Sequence, residues 1–214
     1  RIGISFEELK RKNQFPATPL PTVEKLLDDR VDHVIAREEA KPNKVKNNPF
    51  NFKMDVPENK YNLGEVYNLS IGRGTLTEEE RYKINDHIVQ TIVMLEQLPF
   101  PKKLARVPEY AGGHHEKMDG TGYPRKLTKD EMSLPARIMA IADIFEALTA
   151  SDRPYKPPKK LSDAIKIMSF MKKDAHIDGE LFELFLTSGI YKEYAERFLD
   201  PMQIDEVDIS LYVG

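Results

Sequence analysis

His114-His115-Glu116-Lys117-Met118-Asp119-Gly120-Thr121-Gly122-Tyr123-Pro124 sets two adjacent imidazoles at the head of a glycine-rich turn. The chain has only five histidines, and four of its eleven glycines fall between residues 112 and 122. Glycine and proline at these spacings predict a loop, so the histidines stand at the end of whatever element precedes it. That element reads as a helix from Lys102 or Leu104 to His115. Consecutive helical positions lie about 100° apart, so two neighbouring imidazoles on a helix suit two ions held side by side better than one.

Upstream, Thr77 and Glu80 have capping-box spacing, and Ile84, Ile88, Thr91, Ile92 and Leu95 recur with a helical period until Pro99 and Pro101. His87 borders that stripe. Downstream, Pro135 opens a helix to Thr149 whose inward face is read as Ile138, Ile141, Ala142, Phe145 and Leu148, with Asp143 on or beside it. Burying that carboxylate without a partner is costly, so a ligand role or an ion pair with Arg137 or Lys166 is expected. Further helices are expected at 162–173, 179–187 and 191–199, and short extended pieces near 204–213. The fold class is all-α. Six of fifteen prolines lie in the first 60 residues, which predicts a loop-rich arm over 1–68 with short helices such as Thr22 to Asp28, before a helical body at 69–200 and a tail at 201–214.

With 214 residues, 40% of them hydrophobic, the chain can bury one sizeable core. A formal charge of -3 excludes a general nucleic-acid coat, so no DNA partner is expected. The segment 99–160 is nonetheless basic, with twelve Lys and Arg against eight Asp and Glu, a sign that favours a local anionic ligand. Without cysteine there are no disulfides, thiolate ligands or thiol nucleophiles, and a reducing cytoplasm is the simplest compartment. No apolar run approaches the roughly 20 residues that span a bilayer, so no membrane contact is expected of this segment. Metal ligands must then be His, Asp or Glu. His87, His114, His115 and Asp143 offer three nitrogens and one carboxylate, a set suited to first-row transition ions. His33 and His176 fall outside this pattern and read as solvated.

The 114–124 run resembles the signature of HD-GYP domains. It is followed by Pro135-Ala136-Arg137-Ile138, Ala142-Asp143, Ala147-Leu148-Thr149 and Arg153-Pro154-Tyr155 and preceded by Leu76-Thr77-Glu78-Glu79-Glu80 and His87. The resemblance covers about 69–173. It implies a helical bundle of the HD-domain type and a cyclic di-GMP phosphodiesterase, with linear pGpG and then GMP as products and cyclic GMP-AMP as the alternative substrate. It also implies two divalent ions, or three, Fe or Mn, on His87, His114, His115 and Asp143. Tyr123 would lie beside a guanine base between Gly122 and Pro124, which shape the turn, and Arg153 and Lys156 would reach the nucleotide. A diguanylate cyclase (GGDEF) partner, an upstream sensor and a parent protein attached to the inner membrane belong to the same expectation.

The sequence departs from the family in two respects. Between Asp143 and Arg153 the familiar pattern is about one residue shorter, so a bulge at Ala150-Ser151 would shift Arg153. The larger departure lies upstream. Where the name-giving His-Asp-x-Gly-Lys should bring two more ligands and a lysine, it reads Pro49-Phe50-Asn51-Phe52-Lys53. No His-Asp dipeptide occurs in the chain. Either the domain is degenerate or the 1–68 arm is an insertion that separates the halves. The four downstream ligands are kept and the arm is proline-rich, so the second is expected: a fragment whose His-Asp half lies before Arg1, inactive alone and weak in metal binding. The alternatives are a non-catalytic module that senses cyclic dinucleotide or docks a protein and, more remotely, a di-iron oxygenase.

Overall fold

The computed structural model describes residues 6–23, 25, 31–37, 48–72, 74–151 and 158–214. The Thr22–Asp28 helix expected from sequence lies largely outside these, as do Arg153 and Lys156. Two compact units are formed, Arg1–Asn48 with Asp55–Asp86, and Pro49–Met54 with His87–Gly214. Among the described residues no helix is long and apolar enough to cross a membrane.

The first unit contains α1 (Phe6–Lys12), β1 (Val34–Ala36), β2 (Asn59–Asn62), α2 (Glu65–Leu69) and the first half of α3 (Glu78–Glu96). β1 and β2 pair antiparallel, with Ile35 opposite Tyr61. Strand structure therefore lies here and not in the 204–213 stretch, where Ile209–Leu211 is a 3₁₀ turn. The start of α3 is capped as its sequence predicts: the Glu80 N–H donates to Thr77 Oγ1 at 3.2 Å, and the Thr77 N–H donates to Glu80 Oε2 at 2.9 Å. His33 is not solvated, because its ring is largely covered and lies 3.5 Å from the Glu65 carboxylate.

The second unit is all-helical, as expected. It holds the His87 half of α3, α4 (Val107–Gly113), α5 (Leu134–Thr149), α6 (Leu161–Lys173), α7 (Gly179–Thr187) and α8 (Ile190–Phe198). Its core gathers Phe145, Leu161, Ile165, Met168, Phe182 and Leu186, each at most 2% exposed. Burying each such side chain contributes roughly 1.5–3 kcal/mol relative to leaving it in water. Asp178 caps α7 by accepting from the Glu180 N–H, and its buried carboxylate also takes the Arg137 guanidinium. The chain after α8 is pinned to this core: Gln203 Nε2 donates to the carbonyls of Thr149 and Lys159, and Asp205 accepts from the Ser162 hydroxyl.

Of the inward face expected on α5, Ile141 and Phe145 are buried and Leu148 packs on the core, but the face is rotated toward Ala136 and Ala140. Ala136, Ala140, Ile141, Phe145 and Thr149 are buried, while Ile138 is 48% exposed and Ala142 is exposed. Small residues win this contact because α4 approaches closely: a Cβ on Gly113 would sit 2.9 Å from Ala136 Cβ. Gly112 faces α3 in the same way, where a Cβ would meet Ile92 Cγ1 at 2.6 Å. The two glycines thus lock the end of α4 between α3 and α5. Asp143 is exposed on α5, so it carries no burial cost. Arg137 pairs with Asp178 instead.

Candidate metal centre

α4 is shorter than its sequence suggests. It ends at Gly113, His114 is its C-cap, and His115 lies beyond the helix. The angular argument for two neighbouring imidazoles on a helix therefore does not apply to this pair. Their rings lie 4.2 Å apart between centroids. With His87 from α3 they form one cluster in which one donor atom from each residue lies within 4.8 Å of the others.

Local hydrogen bonds select the ring atoms that face the cluster. His114 Nδ1 is 2.8 Å from the Ala111 carbonyl, so the proton sits on Nδ1 and the Nε2 lone pair is left for a ligand role. His115 Nε2 and His87 Nε2 are 3.1 Å apart. Burial, and then the neighbouring His114, push the His115 pKa down to about 4, with Asp143 opposing the shift. At neutral pH His115 is therefore an unprotonated imidazole, the form that binds metal. Three imidazole nitrogens gathered at this spacing fit a borderline first-row ion, and the donor set argues against a hard oxygen-seeking ion such as calcium.

The turn after the histidines is held by a residue that the sequence did not single out. Glu116 is 1% exposed, and its two carboxylate oxygens accept the N–H groups of Arg125 at 2.7 Å and Leu127 at 2.9 Å. Burial raises its pKa, and those backbone donors oppose the shift. The Tyr123 N–H returns to the His115 carbonyl at 3.2 Å, and Asp119 Oδ1 accepts both the N–H and the hydroxyl of Thr121. Gly122 is required by space: a Cβ there would lie 2.4 Å from the Lys117 nitrogen and 2.5 Å from Glu116 Cα. Pro124 is fully buried. Tyr123 stacks on His115, with centroids 4.9 Å apart and planes inclined by 19°. Burial, and then Asp143, raise the Tyr123 pKa, keeping the phenol neutral.

The segment Pro49-Phe50-Asn51-Phe52-Lys53 lies against this turn. The Lys53 N–H donates to the Pro124 carbonyl at 2.7 Å, and Arg125 Nε donates to the Phe50 carbonyl at 2.9 Å. Phe52 is buried with Ile88 and Ile92, and Phe50 and Tyr123 pack around them. His176 also differs from its solvated reading. It is partly buried, and its pKa is lowered by burial and then by Lys117.

Of the residues expected at the site, His87, His114 and His115 come together, Tyr123 joins them by stacking, and Gly122 and Pro124 shape the turn. Asp143 acts electrostatically on His115 and Tyr123 but is not within the three-histidine cluster.

His87 thus comes from α3, His114 from the C-cap of α4 and His115 from the turn that follows it, and the HD domain family matches residues 21–181 of this chain. The chain belongs to that family. Its similarity to curated relatives is consistent with the HD-GYP type. It is 38% identical over 116 residues to the 3'3'-cGAMP-specific phosphodiesterase 1 of Vibrio cholerae, covering 54% of this chain and 26% of that protein. Identity to the 3'3'-cGAMP-specific phosphodiesterase 3 of the same organism is 45% over 109 residues, 51% of this chain and 23% of the relative. A cyclic di-GMP phosphodiesterase of Pseudomonas aeruginosa is 37% identical over 119 residues, 55% of this chain and 28% of its own length. The matches thus span about a quarter of these relatives. HD domains bind divalent metal, and the histidine cluster suits that role.

Proposed function

We propose that this chain is the Gly-Tyr-Pro part of a metal-dependent phosphodiesterase acting on a cyclic dinucleotide. The observation that carries the reading is the cluster of His87, His114 and His115 with Tyr123 stacked against it. The activities named for these relatives point to cyclic di-GMP or 3'3'-cGAMP.

In this reading the three histidines hold an Fe or Mn ion, and Asp143, exposed on α5, is the carboxylate that joins them. Two ions, or three, need the further ligands of a His-Asp half. When bound, divalent ions supply Lewis acidity, which makes a water nucleophilic near neutral pH and offsets charge on the phosphoryl oxygens. The water oxygen bonds to phosphorus, one P–O ester bond breaks, and the leaving ribose oxygen takes up a proton. His115 stays deprotonated as a donor, Glu116 holds the turn in place, and Tyr123 offers a neutral aromatic edge to a base. Arg153 and Lys156 remain the proposed nucleotide contacts. A cytoplasmic setting, an upstream sensor and a diguanylate cyclase partner complete the proposal.

The test is hydrolysis of cyclic di-GMP and 3'3'-cGAMP with Mn(II) or Fe(II) by the longest form of the protein, beside a His114→Ala, His115→Ala variant. A loss of at least a hundredfold is expected. Equal turnover by the two proteins overturns the assignment.

One observation favours a second reading, a module that binds cyclic dinucleotide without cleaving it. Residues 49–53 fall within the family match and pack as an aromatic segment, with no imidazole or carboxylate among them. Tight binding of intact cyclic dinucleotide without product would select it.

A further inference from the structure

Lys53 and Phe50 pair with the turn through backbone atoms on opposite sides of a left-handed residue, Asn51, whose φ is +56°. This reversal places Phe52 in the cluster with Ile88 and Ile92, on which Phe50 and Tyr123 pack. Tyr123 in turn stacks on His115, whose Nε2 lies 3.1 Å from that of His87. An unbroken series of contacts therefore runs from the segment to two of the three nitrogens.

We propose that residues Pro49–Met54 form a positioning strap, tied down by the Arg125 side chain and bent at Asn51, that sets the Tyr123 ring against His115 and so fixes the histidine cluster. The strap carries no imidazole or carboxylate, so its role in this proposal is to position rather than to ligate. Arg125 is its clamp: its backbone N–H is spent on Glu116, while its side chain reaches the carbonyl of Phe50, 75 residues away in sequence. Removing that side chain loosens the strap at Phe50, while the Lys53 N–H bond to the Pro124 carbonyl and the backbone bonds to Glu116 stay available. Asn51 is the bend, because asparagine enters the left-handed region readily whereas a β-branched residue clashes there. Partners that orient a ligand commonly change metal affinity by about 10–100-fold when removed, so a strap acting through Tyr123 has a measurable effect without supplying a donor.

The inference rests on the three-histidine reading of the site, and its primary test needs neither metal nor turnover. The metal-free full chain, labelled with ¹⁵N and ¹³C at histidine, gives ring signals for five histidines, with His115 assigned from a His115→Ala sample. Tyr123→Leu removes the stacked ring and marks where the His115 signal goes without it. Arg125→Ala and Asn51→Val are each expected to move the His115 signal most of the way to that position, with helical circular dichroism retained. Asn51→Gly, which keeps the bend, is expected to leave it in place. In a second measurement, Co(II) titrated alone should bind Arg125→Ala about tenfold more weakly than wild type. An unmoved His115 signal in both folded strap variants overturns the proposal. Should Asn51→Val fail to fold, Arg125→Ala alone decides. A chain that hydrolyses no cyclic dinucleotide but shows the strap-dependent signal defeats the phosphodiesterase reading and leaves the strap standing.

Discussion

Behind His115 the chain packs Gly122 against the backbone of Glu116 and buries the Glu116 carboxylate between two N–H groups. Along α5 it leaves Ile138, Ala142 and Asp143 at the surface. The same helix borders an apolar groove of about 240 Å³ lined also by Leu184, Phe185 and Ile190. The contrast separates two tasks. The closed side holds donor atoms in place by filling space and satisfying polar groups, so a small change there strains backbone. The open side has little packing to lose from substitution, yet it carries Asp143, the carboxylate that acts electrostatically on His115.

The comparison breaks most sharply at Gly122. Gly122→Ala drives a methyl into the backbone of Lys117 and Glu116 and is expected to cost about 3 kcal/mol, the upper end for overpacking, read as a lower denaturant midpoint. Next comes metal. Co(II) at a hundred times its dissociation constant should stabilise the chain by about 2.7 kcal/mol, with the increment abolished in His114→Ala; an unchanged melting temperature in wild type would count against the site.

A third effect is confined to acid. Burial works to raise the Asp178 carboxyl, but the Arg137 guanidinium, the Leu181 N–H and Lys129 outweigh it, and the folded pKa lies below the ordinary value. That stability is present above the unfolded carboxyl pKa of about 3.9 and is lost as pH falls through the lowered folded value. Acid titration of Asp178→Asn should lack this limb. The smallest effect belongs to the open face, where Ile138→Ser is expected to change stability by no more than about 0.5 kcal/mol. A large loss there would show that the face is not free in solution.

Helices with strong local signals were legible. The Thr77–Glu80 cap was readable because both halves of the box lie in four consecutive residues, and α6, α7 and α8 fall within a residue of their expected bounds. The three histidines could be named from their clustering and family resemblance, but their convergence could not. It depends on α4 stopping at Gly113, and helix ends are set by tertiary packing as much as by composition. On α5 the periodicity locates Ile141, Phe145 and Leu148 but not Ala136 and Ala140, because it counts large apolar residues whereas Ala136 sits where Gly113 comes close. β1 and β2, of three and four residues, are too short for an alternating pattern. Glu116 had no periodic signal at all, and its role depends on where the chain returns nine and eleven residues later.

Gly112 and Gly113 carry a consequence for how such a centre can diverge. Since one faces Ile92 and the other Ala136 with no room for a methyl, the peptide that delivers His114 and His115 is spaced by its neighbours' side chains, like a shim cut to one thickness. Drift in those side chains would shift both imidazoles together and preserve their mutual geometry. His87, the exposed member of the three, comes from a different helix, so the fit of the centre to a larger or smaller ion is set between α3 and this peptide, across the 3.1 Å from His87 Nε2 to His115 Nε2.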